Sequence, residues 1–458
     1  MNQQHLAKVI GQQLAWLKTW KQPDGYGGPV VHYWRDSLCY TGPGRDWRYE
    51  GIITAFIQLF EKTGQREFLQ LAIEAGNHLV NGQFTHGQFL HSGFDGNPSG
   101  PVGSMPHDTA AALGLLRLAQ ALRAQRNLLW KTYYRSAKRS FDFHMHYLYT
   151  PSNSLFLQTF PSIDPRRHYV ANKHTTLAEL LVSLYSMTKR KAYLRLAERC
   201  AQFILAQQDR DEHVGGIAQS DKNNSIITLY NARCVTGLVA VYETTKNTRY
   251  LDSALQAASL LKTLESPRGG FYFGWQKLHG EWHRYNYPQF VAGAGDILHA
   301  FLILRPHKKY AMNNHLDWIN RHTHAHGGVW TSRGMCLKNT KEEKVGKKPY
   351  WRDVLPVVGW NDKILRLRVE LLGERAVIPT LEFVPSKVEC SDGTYEEQEN
   401  AVAITTAEQR YVMGKQQQFA WAGWFFKPLF AMRAQKYLSP WMWEKVRRLG
   451  QRMGRMDE

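Results

Sequence analysis

Acidic side chains are scarce in this chain. Its 458 residues hold 39 Asp and Glu against 58 Lys and Arg, a formal net charge of +19. Cysteine is scarcer: Cys39, Cys200, Cys234, Cys336 and Cys390 make an odd number, with no two at metal-ligand spacing. That argues against a disulfide framework and a structural zinc site; Cys200 and Cys234 read as plain core residues inside helical patterns. No apolar run reaches the roughly 18 residues a membrane-crossing helix needs. The opening MNQQHLAKVIGQQLAWLKTW has no unbroken apolar stretch and reads as an amphipathic helix, not a signal peptide. The expected compartment is the cytoplasm. Zinc-finger, RNP-like and helix-turn-helix patterns are missing as well, so no nucleic acid is expected as partner.

The excess of positive charge favours an acidic partner, either an anionic glycan or an anionic membrane surface. It is spread along the whole length, as on a solvated face. Hydrophobic residues make up 43% of the chain, enough to bury a large core.

Six short stations recur: GGPVVHYW from Gly27, HGQFLHSG from His86, SNSLFLQT from Ser152, VGGIAQSD from Val214, RGGFYFGW from Arg268 and HGGVWTSR from His326. Their spacing, about 54 to 66 residues, is the length of a helical hairpin and a loop. Each leads toward a segment that is apolar on most sides and starts near Tyr49, His107, Asn172, Tyr230, Tyr287 or Asp353. Such segments read as helices buried on several faces, with Ala and Gly allowing close contact. Five following helices are amphipathic and basic, and the helix from about Gln4 to Trp20 supplies a sixth. Six inner and six outer helices predict an all-α (α/α)6 toroid.

This pattern resembles the six-hairpin toroid superfamily of carbohydrate-active enzymes, which includes unsaturated glucuronyl hydrolases, the toroid domains of polysaccharide lyases and sugar epimerases. The resemblance covers about residues 1–372, and residues 373–458 read as a C-terminal extension. It rests on repeat spacing and helix order. It implies an enzyme acting on an acidic, uronate-containing glycan, with hydrolysis ahead of elimination or C5 epimerisation. A non-catalytic glycan-binding or membrane-associated toroid is the alternative. No cofactor or metal is expected.

The helix starts should converge on one rim, where their N-termini favour anions. The collected residues are Arg45, Asp46, Trp47, Arg48, Tyr49 and Glu50; His107 and Asp108; Arg166, Arg167, His168, Tyr169, Asn172, Lys173 and His174; Tyr230, Asn231 and Arg233; Glu281, Trp282, His283, Arg284, Tyr285, Asn286 and Tyr287; and Tyr350, Trp351, Arg352 and Asp353. Aromatic rings suit sugar faces, and Arg suits carboxylates. Hydrolysis by two carboxyl groups needs one of them protonated; Asp108 with Asp46 or Glu50 is the expected pair, and Asp353 the next candidate. The resemblance adds that its hydrolases carry a catalytic Asp at an inner-helix start, as at Asp108. An unsaturated-uronide hydrolase would instead lean on one Asp, which protonates the double bond and directs water. Elimination or epimerisation needs the uronate neutralised and a base at C5, for which Asn172, His174, Arg284 and Tyr285 are the candidates. Each also has a bland reading: Asp as a helix cap, His174 as a hydrogen-bonded core histidine.

His322, His324 and His326 alternate, but they follow an outer helix and read as an exposed loop or cap, not a metal set. Asp209, Asp211 and Glu212 read as a solvated turn, against terpene chemistry. The tail from 419 pairs Trp421, Trp424, Phe425, Phe426, Trp441 and Trp443 with a basic stripe. It reads either as a helix packed on the toroid or as a peripheral anchor at the inner face of an anionic membrane.

Overall fold

A computed structural model describes residues 2–29, 44–89, 107–158, 168–208, 215–344, 346–408 and 410–416. The helices are α1 (Gln3–Thr19), α2 (Arg48–Thr63), α3 (Arg66–Asn81), α4 (His107–Ala124), α5 (Trp130–Tyr147), α6 (Ala171–Thr188) and α7 (Lys191–Ala206). They continue with α8 (Thr228–Thr245), α9 (Thr248–Thr263), α10 (Ala294–Ile303), α11 (Asn313–Arg321), α12 (Trp351–Val354) and α13 (Val358–Leu371).

Helices α2, α4, α6, α8, α10 and α13 form the inner ring. Each packs on the next, and α13 packs back on α2, so the ring is closed. Backbones approach closely at its seams: a Cβ on Gly237 of α8 would lie 2.9 Å from the Thr175 carbonyl of α6. Helices α1, α3, α5, α7, α9 and α11 form the outer layer. In α7 the buried Tyr193, Ala197, Cys200, Ala201 and Ile204 recur at helical spacing and turn one stripe inward. The chain is an (α/α)6 toroid.

The stations are the turns that reverse the chain between an outer helix and the next inner one. Four close with the same single antiparallel bridge: Gln83 with Phe89, Gln208 with Ile217, Glu265 with Phe271 and Thr323 with Val329. Gly327 shows why glycine sits there. Its φ is 89°, and a Cβ would lie 2.4 Å from the Gln13 amide nitrogen of α1.

Two inner helices start later than the sequence pattern suggests. The fifth starts at Ala294, not near Tyr287, because strands Gly274–Leu278 and Glu281–Tyr285 form a hairpin first. His279 and Gly280 turn it, with φ of 51° and 88°, the two positive values a tight hairpin requires. The sixth starts at Val358. Asp353 lies instead in the one-turn α12, and Pro356 keeps the residue before it out of helix.

After α13, strands Ser386–Cys390, Gly393–Glu397, Ala401–Thr405 and Arg410–Gly414 form an antiparallel meander. Its anchor is a buried charged cluster. Glu397 accepts from Trp16 Nε1 at 2.9 Å, lies 2.8 Å from Lys415 Nζ and 3.1 Å from His326 Nε2, and accepts from the Tyr395 hydroxyl. His324 bonds Ser386 Oγ and the Val354 carbonyl, each at 2.8 Å. The expectation of an exposed histidine loop is therefore corrected: His324 and His326 are buried and fasten the meander to the toroid. Among the described residues no group of His, Cys, Asp or Glu is placed to hold a metal ion, and no helix is long and apolar enough to cross a membrane. The aromatic and basic tail, Arg166, Arg167, and the run from Asp209 to Glu212 lie outside the described residues.

Candidate active site

The hairpins alternate in direction, so all six inner helices start at one rim. A cavity of about 150 Å³ opens there. Its described lining comes from every inner helix start: Trp47 and Glu50, Ala110, Asn172 and Thr176, Leu229, Tyr230 and Arg233, Gly293 and Asp296, and Gly359, Trp360 and Lys363. Trp47 donates from Nε1 to the Gly359 carbonyl at 2.8 Å, which locks one wall. The Trp360 ring packs edge-on to Phe290 at 4.4 Å. The Asn172 Oδ1 is buried with no hydrogen-bond partner.

The floor is ionic. Glu50 and Arg233, three hairpins apart, meet across the axis at 3.0 Å. Arg117 joins Glu50 at 3.2 Å and Glu179 at 3.1 Å, and Arg233 also reaches Glu179 at 3.2 Å. Lys363 lies 2.9 Å from Asp362 and 3.9 Å from Glu50. Burial works against the Glu50 carboxylate, but Arg233, Lys363, Arg117 and Arg366 outweigh it and hold the group far below the usual carboxylate range. Glu50 is thus a fixed anion and cannot serve as a proton donor. Asp296 differs. Its Oδ1 accepts from Arg366 at 2.9 Å, its side chain remains 19% exposed, and it sits in the first turn of α10, where the helix dipole favours a carboxylate. Behind the lining, burial pushes the Asp362 carboxyl up to about 7, with Lys363 opposing.

Only some of the sequence candidates reach this cavity. Trp47, Glu50, Asn172, Tyr230 and Arg233 do. Asp108, His174 and Asn231 face the other way, toward the outer layer. Each receives the backbone N–H of the preceding station: Phe89 to Asp108 at 3.0 Å, Phe156 to His174 Nε2 at 3.1 Å, and Ile217 to Asn231 Oδ1 at 2.7 Å. Asn361 does the same for Val329 at 2.7 Å. The second polar atom of three of them returns to the carbonyl four residues earlier: His174 to Val170, Asn231 to Ile227 and Asn361 to Val357. These four residues pin four of the stations to their inner helices, which corrects the expectation of Asp108 as the acid, His174 as a base and Asn231 as a substrate contact.

The remaining candidates are structural at this site. Asp46 is buried in a two-point ion pair with Arg48, 2.8 Å at its closer contact, and Arg48 Nη1 donates to the Tyr26 and Gly27 carbonyls. Arg45 donates to the His78 and Asp24 carbonyls. Asp353 accepts from Ser332 Oγ, Met335 N and Gly334 N, shaping the loop before α12. Arg284 lies 4.3 Å over the Tyr272 ring, and Arg352 4.2 Å over Trp351. Tyr285 is a buried strand residue, and the Tyr287 hydroxyl donates to the Lys344 carbonyl. None of Tyr285, Arg284, Tyr287, Trp351, Arg352 or Lys173 lines the rim cavity. His107 opens α4; its side chain is outside the description.

Missing from the sequence expectation are Thr176, Asp296, Trp360 and Lys363. A signal existed for Thr176 and Lys363. Each pin has its axial counterpart two residues later: Ala110, Thr176, Arg233 and Lys363 follow Asp108, His174, Asn231 and Asn361. Two residues turn a helix by about 200°, onto the opposite face.

No protein-family model and no curated protein sequence matches the chain. Solved structures do. Cellobiose 2-epimerase from Bacillus thermoamylovorans B4167 superposes with a TM-score of 0.59 at 14% identity, over 80% of this chain and 100% of that one. D-mannose isomerase gives 0.57 at 14%, over 81% and 97%. The unsaturated glucuronyl hydrolase of Bacillus sp. GL1 gives 0.56 at 12%, over 81% and 97%. At these identities the likeness establishes the fold.

Proposed function

From the (α/α)6 toroid that this chain has in common with a sugar epimerase, a sugar isomerase and a glucuronyl hydrolase, we propose that it is a carbohydrate-active enzyme whose reacting sugar occupies the rim cavity. One observation carries the reading. The lining joins Trp47, Trp360 and Tyr230, rings suited to sugar faces, with a single carboxylate, Asp296, that is both accessible and held from one side only. The small volume suits one terminal ring.

A hydrolysis that divides the work between two carboxyl groups fits poorly, because Glu50 stays ionised and is engaged by Arg233 and Arg117. Hydrolysis of an unsaturated uronide asks for one. Asp296, as a carboxylate, takes a proton from the water that it directs to C5 and delivers a proton to C4 of the C4=C5 bond, so it begins and ends ionised. The hemiketal formed at C5 opens to a ketone and leaves a hemiacetal at C1, whose collapse breaks the glycosidic bond. Arg233 and Lys363 are the cations of the described lining that can meet the uronate. Incubation with unsaturated uronide oligosaccharides should then remove their ultraviolet absorbance and release reducing ends, and Asp296→Asn should abolish both. Turnover that survives Asp296→Asn, a gain of absorbance, or deuterium uptake at C5 without cleavage each rejects this chemistry, the last two in favour of elimination or epimerisation.

A second reading has its own support. The Glu50–Arg233 bridge closes the axis at shallow depth, which suits a glycan-binding toroid without catalysis. Saturable glycan binding with no change in any of those readouts would favour it.

A further inference from the structure

One stretch of the chain is firmly anchored yet takes no part in the rim cavity. Residues 338–350, just before α12, carry no helix or strand among their described members. Irregular loops of about this length are usually either functional or disordered. This one is fastened by side chains from other segments. Asn286 donates from its backbone and side-chain nitrogens to the Thr340 and Lys341 carbonyls, at 2.9 and 2.8 Å. Arg333 donates to the Gly346 carbonyl, and Ser391 Oγ to that of Lys348.

The charge of the loop is one-sided. Lys338, Lys341, Lys344, Lys347 and Lys348 stand against Glu342 and Glu343. Both acids are engaged: Glu342 lies 3.1 Å from Lys344, and Glu343 hydrogen-bonds Tyr272. Lys341, Lys347 and Lys348 are exposed and make no ion pair with a described residue. The backbone that carries them is ordered in advance, which lowers the cost of binding.

The loop links the sixth station to the sixth inner helix, so it lies at the end of the toroid where the rim cavity opens. Strand Ser332–Arg333, just ahead of it, pairs with Gln289–Phe290, and the Phe290 ring packs on Trp360 of the cavity wall. A cavity of about 150 Å³ takes one ring, and a longer chain held there must leave over its edge. Lysines act as point charges, which suit carboxylates or sulfates along a flexible chain. From Gly334 to Pro349 there is no aromatic residue and no Arg. The loop therefore lacks the rings on which nucleic-acid bases stack and the forks that read them.

We propose that this loop is a docking surface for an acidic polysaccharide, whose carboxylates or sulfates meet Lys341, Lys347 and Lys348 while one end of the chain lies at the rim. The glycan class rests on the reading of the rim as a sugar site; docking itself does not depend on the reaction there.

Equilibrium titration of the whole protein with labelled oligogalacturonate and heparin fragments of equal length tests it, with single-stranded DNA and phosphatidylserine vesicles as competing ligands. One variant combines Lys341→Gln, Lys347→Gln and Lys348→Gln. A control removes the same charge from the opposite end of the toroid, with Lys131→Gln, Lys191→Gln and Lys309→Gln, all at exposed positions. Circular dichroism melts establish that both fold. At an ionic strength of about 0.15 M, the loop variant should bind acidic chains at least about tenfold more weakly, and the control within about twofold of the parent, the order that three surface ion pairs supply. Added salt should shrink the difference. A preference for heparin assigns sulfate as the group recognised, and a preference for oligogalacturonate assigns carboxylate. Four results overturn the proposal: no saturable binding of either acidic chain to the parent, unchanged affinity in the loop variant, equal weakening in both variants, or tighter, loop-dependent binding of DNA or vesicles. Because binding is read without turnover, a failed uronide hydrolysis and a failed docking surface give different results.

Discussion

The seam between the helix layers and the wall of the axis are furnished by the same helix starts, two residues apart, yet they behave differently. In the seam, Asp108, His174, Asn231 and Asn361 vary in chemistry while doing one job, accepting a station N–H. On the wall, Glu50, Thr176, Arg233, Asp296 and Lys363 vary in charge and meet one another across the ring. The seam asks of each side chain only an acceptor at a fixed place. The wall asks for a set whose charges balance, so no member can be judged alone.

Breaking the wall should cost most. Glu50→Gln leaves Arg117, Arg233, Lys363 and Arg366 without their common anion and should lower unfolding free energy by about 3–5 kcal/mol. Denaturant melts measure this; a loss under about 1 kcal/mol would mean the cations relax independently. Breaking the seam should cost less. Asn361→Ala removes three hydrogen bonds to Val329 and Val357 and should destabilise by about 1–3 kcal/mol, without weakening sugar binding beyond that loss of stability. Weaker binding in fully folded Asn361→Ala protein would place Asn361 in the site after all.

A subtler change sharpens the comparison. Burial holds the His174 imidazole down at about 4 against its ordinary 6.5, and does the same at His78 and His322. As pH falls, the unfolded chain takes up these protons first. Stability is therefore full above about 6.5 and is lost as pH drops toward 4. His174→Asn copies Asn231 and should stay within about 1 kcal/mol of the parent at neutral pH, with a shallower decline in acid; an unchanged decline shows that His174 does not carry it. The smallest effect is expected outside both regions. Arg284→Ala removes a guanidinium stacked on Tyr272 and should change stability by about 0.5 kcal/mol or less. It should leave uronide affinity unaltered, which direct titration checks.

The fold was largely legible because its signals are local. Helical periodicity and the spaced turns are written within each hairpin. The starts of the fifth and sixth inner helices were misplaced where local signals compete: His279 and Gly280 form a hairpin turn within a run of alternating residues, and Pro356 separates α12 from α13. The site was less legible. A polar residue at a helix start can face seam or axis, and only the closed ring decides which. Asp108 has the residue type of a catalytic acid and serves as a pin. Asp296 lies inside an apolar segment, and its exposure depends on where α10 begins. Arg233 gains its role from Glu50, 183 residues away, a distance over which no periodicity carries information.

The charged cluster around Glu397 bears on how the chain is made. Helix α1 is made well before its partner, because Trp16 meets Glu397, 381 residues later. At about 5–20 residues per second, synthesis takes on the order of 20 to 80 s to deliver it. Lys415, which donates to Thr19 Oγ1, comes later still. Through that interval the apolar stripe of α1 lacks the meander that covers its far end. The first helix of the toroid is thus among the last to be secured.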